Sequence, residues 1–139
     1  MKKDNETVKL KEVTQADFRF LYQLLVERDP IANISHKKMP TYAEHVKFVK
    51  SKPYSKWYVI YFKNKKSGSI YLSKQNEIGI FLKKGVHGKG IGSLAMMLLI
   101  IKNPRDRFLA NISPKNKKSA EFFKKNGFTL IQHTYELTK

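Results

Sequence analysis

Three glycines at alternate positions, Gly88, Gly90 and Gly92, stand between a short strand-like run over 77–82 and a helix-length apolar run over 94–101. That helix-length run, LAMMLLII, is apolar all round and so belongs against the core of a domain, covered on every side. The sequence HGKGIGS at 87–93 therefore sits where a strand hands over to the most buried helix. With no Cβ in the way, a glycine backbone can come close to a ligand. The free N–H groups of the first helical turn, added to the positive end of the helix dipole, make a ready anion site there.

A pyrophosphate fits such a site, and two familiar anion loops fit the residues poorly. A Walker A loop places Lys and then Ser or Thr directly after its last glycine, whereas Ile91, Gly92 and Ser93 follow Gly90 here. A dinucleotide fingerprint spaces its glycines Gly-x-Gly-x-x-Gly, against Gly-x-Gly-x-Gly in this chain. A glycine-rich turn that holds no ligand satisfies the same residues, so the loop alone leaves the question open.

Periodicity supplies the rest of the fold. Residues 7–13 alternate as a first strand. Thr14, with Asp17 three residues on, opens a helix whose buried stripe is Phe18, Leu21, Tyr22 and Leu25, ended by Asp29-Pro30. Pro40-Thr41 opens a second helix to about residue 51, with Tyr42, His45, Val46 and Val49 on one face. The apolar run 57–62 reads as a strand covered on both faces, 64–68 as a turn, and 69–72 as the returning strand of a hairpin. Strands are expected over 77–82 and 107–112, helices from the glycine loop to about 101 and over 116–126, and a last strand or short hairpin over 128–137. No linker or internal repeat divides residues 1–139, so the expectation is one domain.

Composition narrows the function classes. There are no cysteines, which excludes a disulfide framework, a thiol nucleophile and a thiolate metal site, and fits a reducing cytoplasm. No metal site is expected. The N-terminal MKKDNE has no apolar stretch behind its lysines, and the run over 94–101 is too short to span a bilayer, so neither a secretory signal nor a membrane span is expected. Lys and Arg number 28 against 11 Asp and Glu, a net charge of +17, which speeds encounter with anionic partners. Lysine is spread through almost every segment instead of forming a stripe, and no helix-turn-helix, aromatic platform or zinc pattern is present. A specific nucleic-acid role is therefore not expected.

Two blocks of the chain resemble one family. The segment LKKGVHGKGIGS at 82–93 resembles the acetyl-CoA signature of GNAT acetyltransferases, Gln/Arg-x-x-Gly-x-Gly/Ala, with His87 where that pattern has Gln or Arg and with Gly90 and Gly92 matching. The segment ISPKNKKSAEFFKKNGF at 112–128 is similar to the family's second cofactor segment, matching at Asn116, Ser119 and Gly127-Phe128. The resemblance implies an α/β (α+β) fold, a mixed and mostly antiparallel sheet with a splayed central strand pair and helices on both faces. It implies acetyl-CoA as co-substrate. The pantetheine arm would pair with main-chain groups of Phe81 and Leu82. The pyrophosphate would rest on the loop of His87, Gly88, Lys89, Gly90, Ile91, Gly92 and Ser93, while Asn116, Ser119 and Phe123 would flank the cofactor arm. A homodimer would be ordinary for the family.

Acetyl transfer to an amine needs a proton acceptor near the nitrogen and donors aimed at the developing oxyanion. The N–H of Leu82 is the candidate donor. Glu77 is the first candidate base: on a strand it shares a face with Gly79 and Phe81, and many family members carry Glu at the corresponding position. His45 is the second, because it shares the apolar face of its helix. The segment PTYAEHVKFV at 40–49 resembles a Tyr-x-x-His segment of family members that acetylate nucleotide-linked amino sugars. By that resemblance His36, Tyr42 and His45 are candidate substrate-binding residues, and the acceptor is a small amine, anionic overall. One departure matters: family members often place a Tyr four residues before the closing glycine, and here that position is Phe123. Water, Tyr42 or Tyr71 would then protonate the thiolate. Alternatives are acetylation of a protein N-terminus or lysine, and a non-catalytic acetyl-CoA-binding module.

Overall fold

The computed structural model describes residues 7–28 and 38–139. Asp29-Pro30, expected to end the first helix, and His36 lie outside them. Strand β1 spans Val8–Glu12. A 3₁₀ turn, Gln15–Asp17, then opens helix α1, Phe18–Glu27. The Thr14 N–H donates to Asp17 Oδ2 at 2.8 Å, which satisfies an end-of-helix donor and holds the carboxylate inward. Asp17 is buried and meets Lys66 Nζ at 2.7 Å. The buried residues of α1 are Leu21 and Leu24, so its inner stripe is turned slightly from the expected one toward Leu24. Helix α2 spans Tyr42–Lys50 and begins in a reciprocal cap: Glu44 N–H donates to Thr41 Oγ1, and Thr41 N–H to Glu44 Oε1. It buries His45 and Val49.

The sheet is antiparallel in the order β1-β2-β3-β4, with β2 at Lys56–Phe62, β3 at Lys65–Leu72 and β4 at Ile78–Leu82. The β2–β3 turn is tighter than expected. Lys63 and Asn64 both take positive φ, 52° and 64°, as a two-residue hairpin of matching twist requires, so β3 starts at Lys65. Alternation divides the sheet's faces. Tyr58, Ile60, Ile70, Leu72 and Ile78 join helix α3, Ile91–Lys102, in the main core. Trp57 packs with Leu21, Leu24 and Val49 on the other face. Helices thus cover both faces of a mixed α+β fold, as expected. Helix α4, Lys117–Lys125, leans on α3: a Cβ built on Gly92 would lie 3.1 Å from Phe122 Cε1.

Three expectations are corrected. α3 is not covered all round. Ile91, Gly92, Ala95, Met96 and Leu99 are buried, but Leu94, Met97 and Ile101 face solvent, because the sheet and α4 cover one side only. Residues 107–112 form no strand. Phe108, Ala110 and Ile112 pack on the core with the right alternation, yet among the described residues the only ladder contact is a parallel bridge between Glu77 and Leu109. Residues 128–137 carry no regular structure, and Leu130, Ile131, Tyr135 and Leu137 are exposed. A strand needs a partner's hydrogen bonds. The 107–112 segment parts from β4 after one bridge, and the 128–137 segment does not pair with it.

Candidate functional site

That parting of chains builds the first half of the site. Ile78 N–H donates to Leu109 O and Leu109 N–H to Asn76 O, both at 2.8 Å, and the ladder then stops. In a strand, alternate residues direct their main-chain groups to the same side. Ile80 and Leu82 therefore face the opening with Ile78, while Gly79 and Phe81 face β3. The place where a Cβ on Gly68 would meet the Phe81 carbonyl agrees with this. Of the two expected main-chain partners, Leu82 borders the opening and Phe81 does not. Ile80, which alternation at the open edge would have identified, takes its place.

From that bridge β4 runs on to the glycine loop. Gly90 is the N-cap of α3 in the left-handed region, φ 73°, a conformation that costs an L-residue about 1–2 kcal/mol. His87, Gly88, Lys89 and Gly90 are exposed, and Ile91, Gly92 and Ser93 form the helix's first turn, whose N–H groups lack intrahelical acceptors. Gly92 serves a different end from the one expected. It is buried, and its missing Cβ makes room for Phe122. Asn116 caps α4, its Oδ1 accepting from Ser119 N–H at 3.2 Å, so Nδ2 is the end left for other contacts. Phe123 is buried, edge to face with Phe122 and Phe128, and packs as a core residue.

The second half is a cavity of about 250 Å³ on the α1–α2 face of the sheet. Leu21, Leu24 and Leu25 of α1, Phe48 of α2, and Trp57, Tyr71 and Phe81 of the sheet give it apolar and aromatic walls. Its polar lining includes Arg28, Lys38, Glu44, His45 and Ser69. Ser69 Oγ accepts from Trp57 Nε1 at 2.9 Å, and Glu44 is engaged in the α2 cap. Arg28 lies over the Phe81 ring, 4.5 Å from its centroid. His45 is 7% exposed, and its Nδ1 has no hydrogen-bond partner. Burial pushes its imidazole below the ordinary 6.5, which keeps it neutral at pH 7. Tyr42 does not line the cavity; it packs on Tyr22 and carries Arg19 on its ring.

Between the two halves lies Glu77. Its Oε1 accepts from Ser73 Oγ at 3.2 Å and its Oε2 from Asn111 Nδ2 at 2.8 Å, so the carboxylate is held at the closed end of the opening. The space that the missing side chain of Gly79 leaves beside it is filled. Tyr71 pairs with Gly79 across β3–β4, and its ring and hydroxyl lie where a Gly79 Cβ would be. Tyr71 in turn stacks on Tyr54, with centroids 3.8 Å apart and planes 3° from parallel. Tyr54, Trp57 and Arg28 were not among the sequence candidates. They come from two separate segments, and only the apolar run 57–62 hinted at a wall.

Among the described residues no His, Cys, Asp or Glu group could hold a metal, and no helix is long and apolar enough to cross a membrane. A family model described as an acetyltransferase (GNAT) domain matches residues 7–129. No curated protein matches the sequence. Solved structures do. A domain from Methanocaldococcus jannaschii is similar at TM-score 0.76 and 24% identity, covering 94% of this chain and 93% of that one. RimL, a ribosomal L7/L12 alpha-N-protein acetyltransferase in complex with coenzyme A, is similar at 0.73 and 22%, covering 91% and 82%. The microcin C7 self-immunity acetyltransferase MccE, in complex with acetyl-CoA and AMP, is similar at 0.68 and 21%, covering 91% and 81%.

Proposed function

We propose an acceptor for a chain that belongs to the GNAT family of acetyl-CoA-dependent N-acetyltransferases: the primary amine of an amino sugar carried on a nucleotide. The observation that carries this reading is the unpartnered Nδ1 of His45, nine-tenths buried in the cavity wall. A buried polar atom without a partner costs about 1–3 kcal/mol, a deficit that a sugar hydroxyl would relieve. The other charged groups around it suit an anion. Among the described lining residues Arg28 and Lys38 are cationic, and the Glu44 carboxylate is engaged in its helix cap. A cavity of about 250 Å³ takes a sugar ring and leaves the nucleotide outside, where lysines are plentiful. The similar MccE structure is in complex with acetyl-CoA and AMP, which supports a nucleotide-bearing acceptor for this fold.

The donor side fits acetyl-CoA. The open edge of β4 offers main-chain groups of Ile80 and Leu82 to an extended arm, and the α3 N-terminus offers N–H groups to a pyrophosphate. Bound there, acetyl-CoA supplies an activated acyl group on a thiol leaving group. In this reading the Leu82 N–H stabilises the developing oxyanion. Glu77, oriented by Ser73 and Asn111, takes the ammonium proton directly or through one water. His45 binds the acceptor's hydroxyls.

The test is turnover of acetyl-CoA with a panel of amines. UDP- or TDP-linked amino sugars should be acetylated. Glu77→Gln should lower kcat by about 10²–10⁴-fold with acetyl-CoA affinity unchanged, and His45→Ala should chiefly raise the acceptor KM. Efficient acetylation of spermidine or of a peptide N-terminus, with no turnover of any nucleotide sugar, would overturn the acceptor assignment.

A further inference from the structure

With Phe123 in the core, the α4 position that often carries a tyrosine in this family has no hydroxyl, and the departing sulfur needs another proton source. Any such source must sit where the sulfur arrives. If the pyrophosphate rests on the loop after β4, an arm running along the open edge travels from Leu82 back toward Ile78. The Ile78–Leu109 bridge closes the way there. The thioester end therefore stops beside Gly79. The Tyr71 hydroxyl stands over that residue, in the space a Gly79 Cβ would take.

We infer that the Tyr71 hydroxyl is the acid that protonates the departing thiolate of coenzyme A. The inference rests on the acetyl-transfer reading given above. As the amine nitrogen bonds to the carbonyl carbon, the C–S bond breaks and its electron pair goes to sulfur. The Tyr71 proton follows, giving the free thiol and a transient phenolate. Glu77 holds the first proton, taken from the ammonium before attack; the second, lost from nitrogen as the amide forms, passes through solvent to the Tyr71 phenolate, and Glu77 releases its own to solvent, so that one proton leaves per turnover.

The surroundings of Tyr71 prepare it for this. Its ring stacks on that of Tyr54, with planes 3° from parallel, which fixes where the hydroxyl stands. The Arg28 guanidinium acts on both phenols, favouring the ionised form, and so steadies a phenolate as it forms. Glu77 acts in the opposite sense and, with burial as the largest cause, keeps Tyr71 protonated before the reaction. Among the described residues, the remaining titratable groups that line this cavity are Lys38, Glu44 and His45.

Two variants and one titration test the inference. Tyr71→Phe keeps the ring stack and removes only the hydroxyl. It should lower kcat by about 10²-fold or more while the Kd for acetyl-CoA, measured by calorimetry, stays within about twofold. Replacing Tyr71 with 3-fluorotyrosine keeps a hydroxyl of lower pKa, and the alkaline fall of kcat should move to lower pH. The titration needs no turnover. With coenzyme A bound, the thiol's ionisation followed by thiolate absorbance should shift to higher pH in Tyr71→Phe, because a donor to sulfur is lost. Full kcat in Tyr71→Phe, or identical thiol titrations in the two proteins, would overturn the role of Tyr71. A wild type that acetylates no amine would overturn the functional reading, and the thiol titration would still decide the place of Tyr71.

Discussion

His45 links the site to stability through its proton. Burial lowers its pKa, so as pH falls the unfolded chain takes up that proton first. Its contribution is therefore fully present above the ordinary 6.5 and is lost as pH drops through the folded value. The melting temperature should fall more steeply between pH 7 and 5 in the wild type than in His45→Gln; parallel curves would mean the imidazole is not held neutral. The glycines of the loop separate in the same way. Gly90→Asp puts a strained, anionic residue at the α3 N-cap and should weaken acetyl-CoA binding at least about tenfold in calorimetry. Gly92→Ala should lower the melting temperature by crowding Phe122, with affinity nearly unchanged. The sequence showed that glycine was needed at both positions, but the partner of Gly92 is 30 residues away in another helix and leaves no local mark. Tyr71 was legible only as one of two spare tyrosines. Which ring folds back over a neighbouring strand depends on pairing register, which the period of a single strand does not specify.

Among the elements, β4 and the segment beyond α3 decide where the site is. Local pattern located α1, α2, β1, β2, β4, α3 and α4 to within a few residues, because each has its own cap, alternation or breaker. It failed at 107–112 and 128–137, where alternation is present but a ladder partner is not, and hydrogen-bond partners are a tertiary fact. The single bridge at Leu109 should matter beyond its size. Leu109→Pro removes the N–H bonded to Asn76 O, a loss of about 1–3 kcal/mol if that carbonyl stays unpaired. With the closed end of the opening loosened, acetyl-CoA affinity should fall together with stability. Loss of stability with affinity intact would show that the bridge does not set where the arm stops.

Charge acts on the molecule as a whole. A net +17 on 139 residues repels itself in the compact state, and at the same time draws anionic molecules toward every face. Salt screens both effects, with a Debye length near 10 Å at about 0.1 M. The two consequences have opposite signs. Added salt should raise the melting temperature, because self-repulsion weakens. It should lower kcat/KM for a nucleotide-linked amino sugar, because the attraction that speeds its encounter weakens too. The effect should sit in KM and leave kcat nearly constant, since in the proposed mechanism Glu77, Tyr71 and the β4 edge act on the reacting atoms at short range. A neutral amine of similar shape serves as the control: acetyl-CoA is itself anionic, so at saturating acetyl-CoA only the acceptor's charge is varied. If the KM values of the charged and neutral acceptors rise in parallel with salt, the +17 plays no part in choosing the acceptor, and the cavity around His45 and Arg28 does so alone.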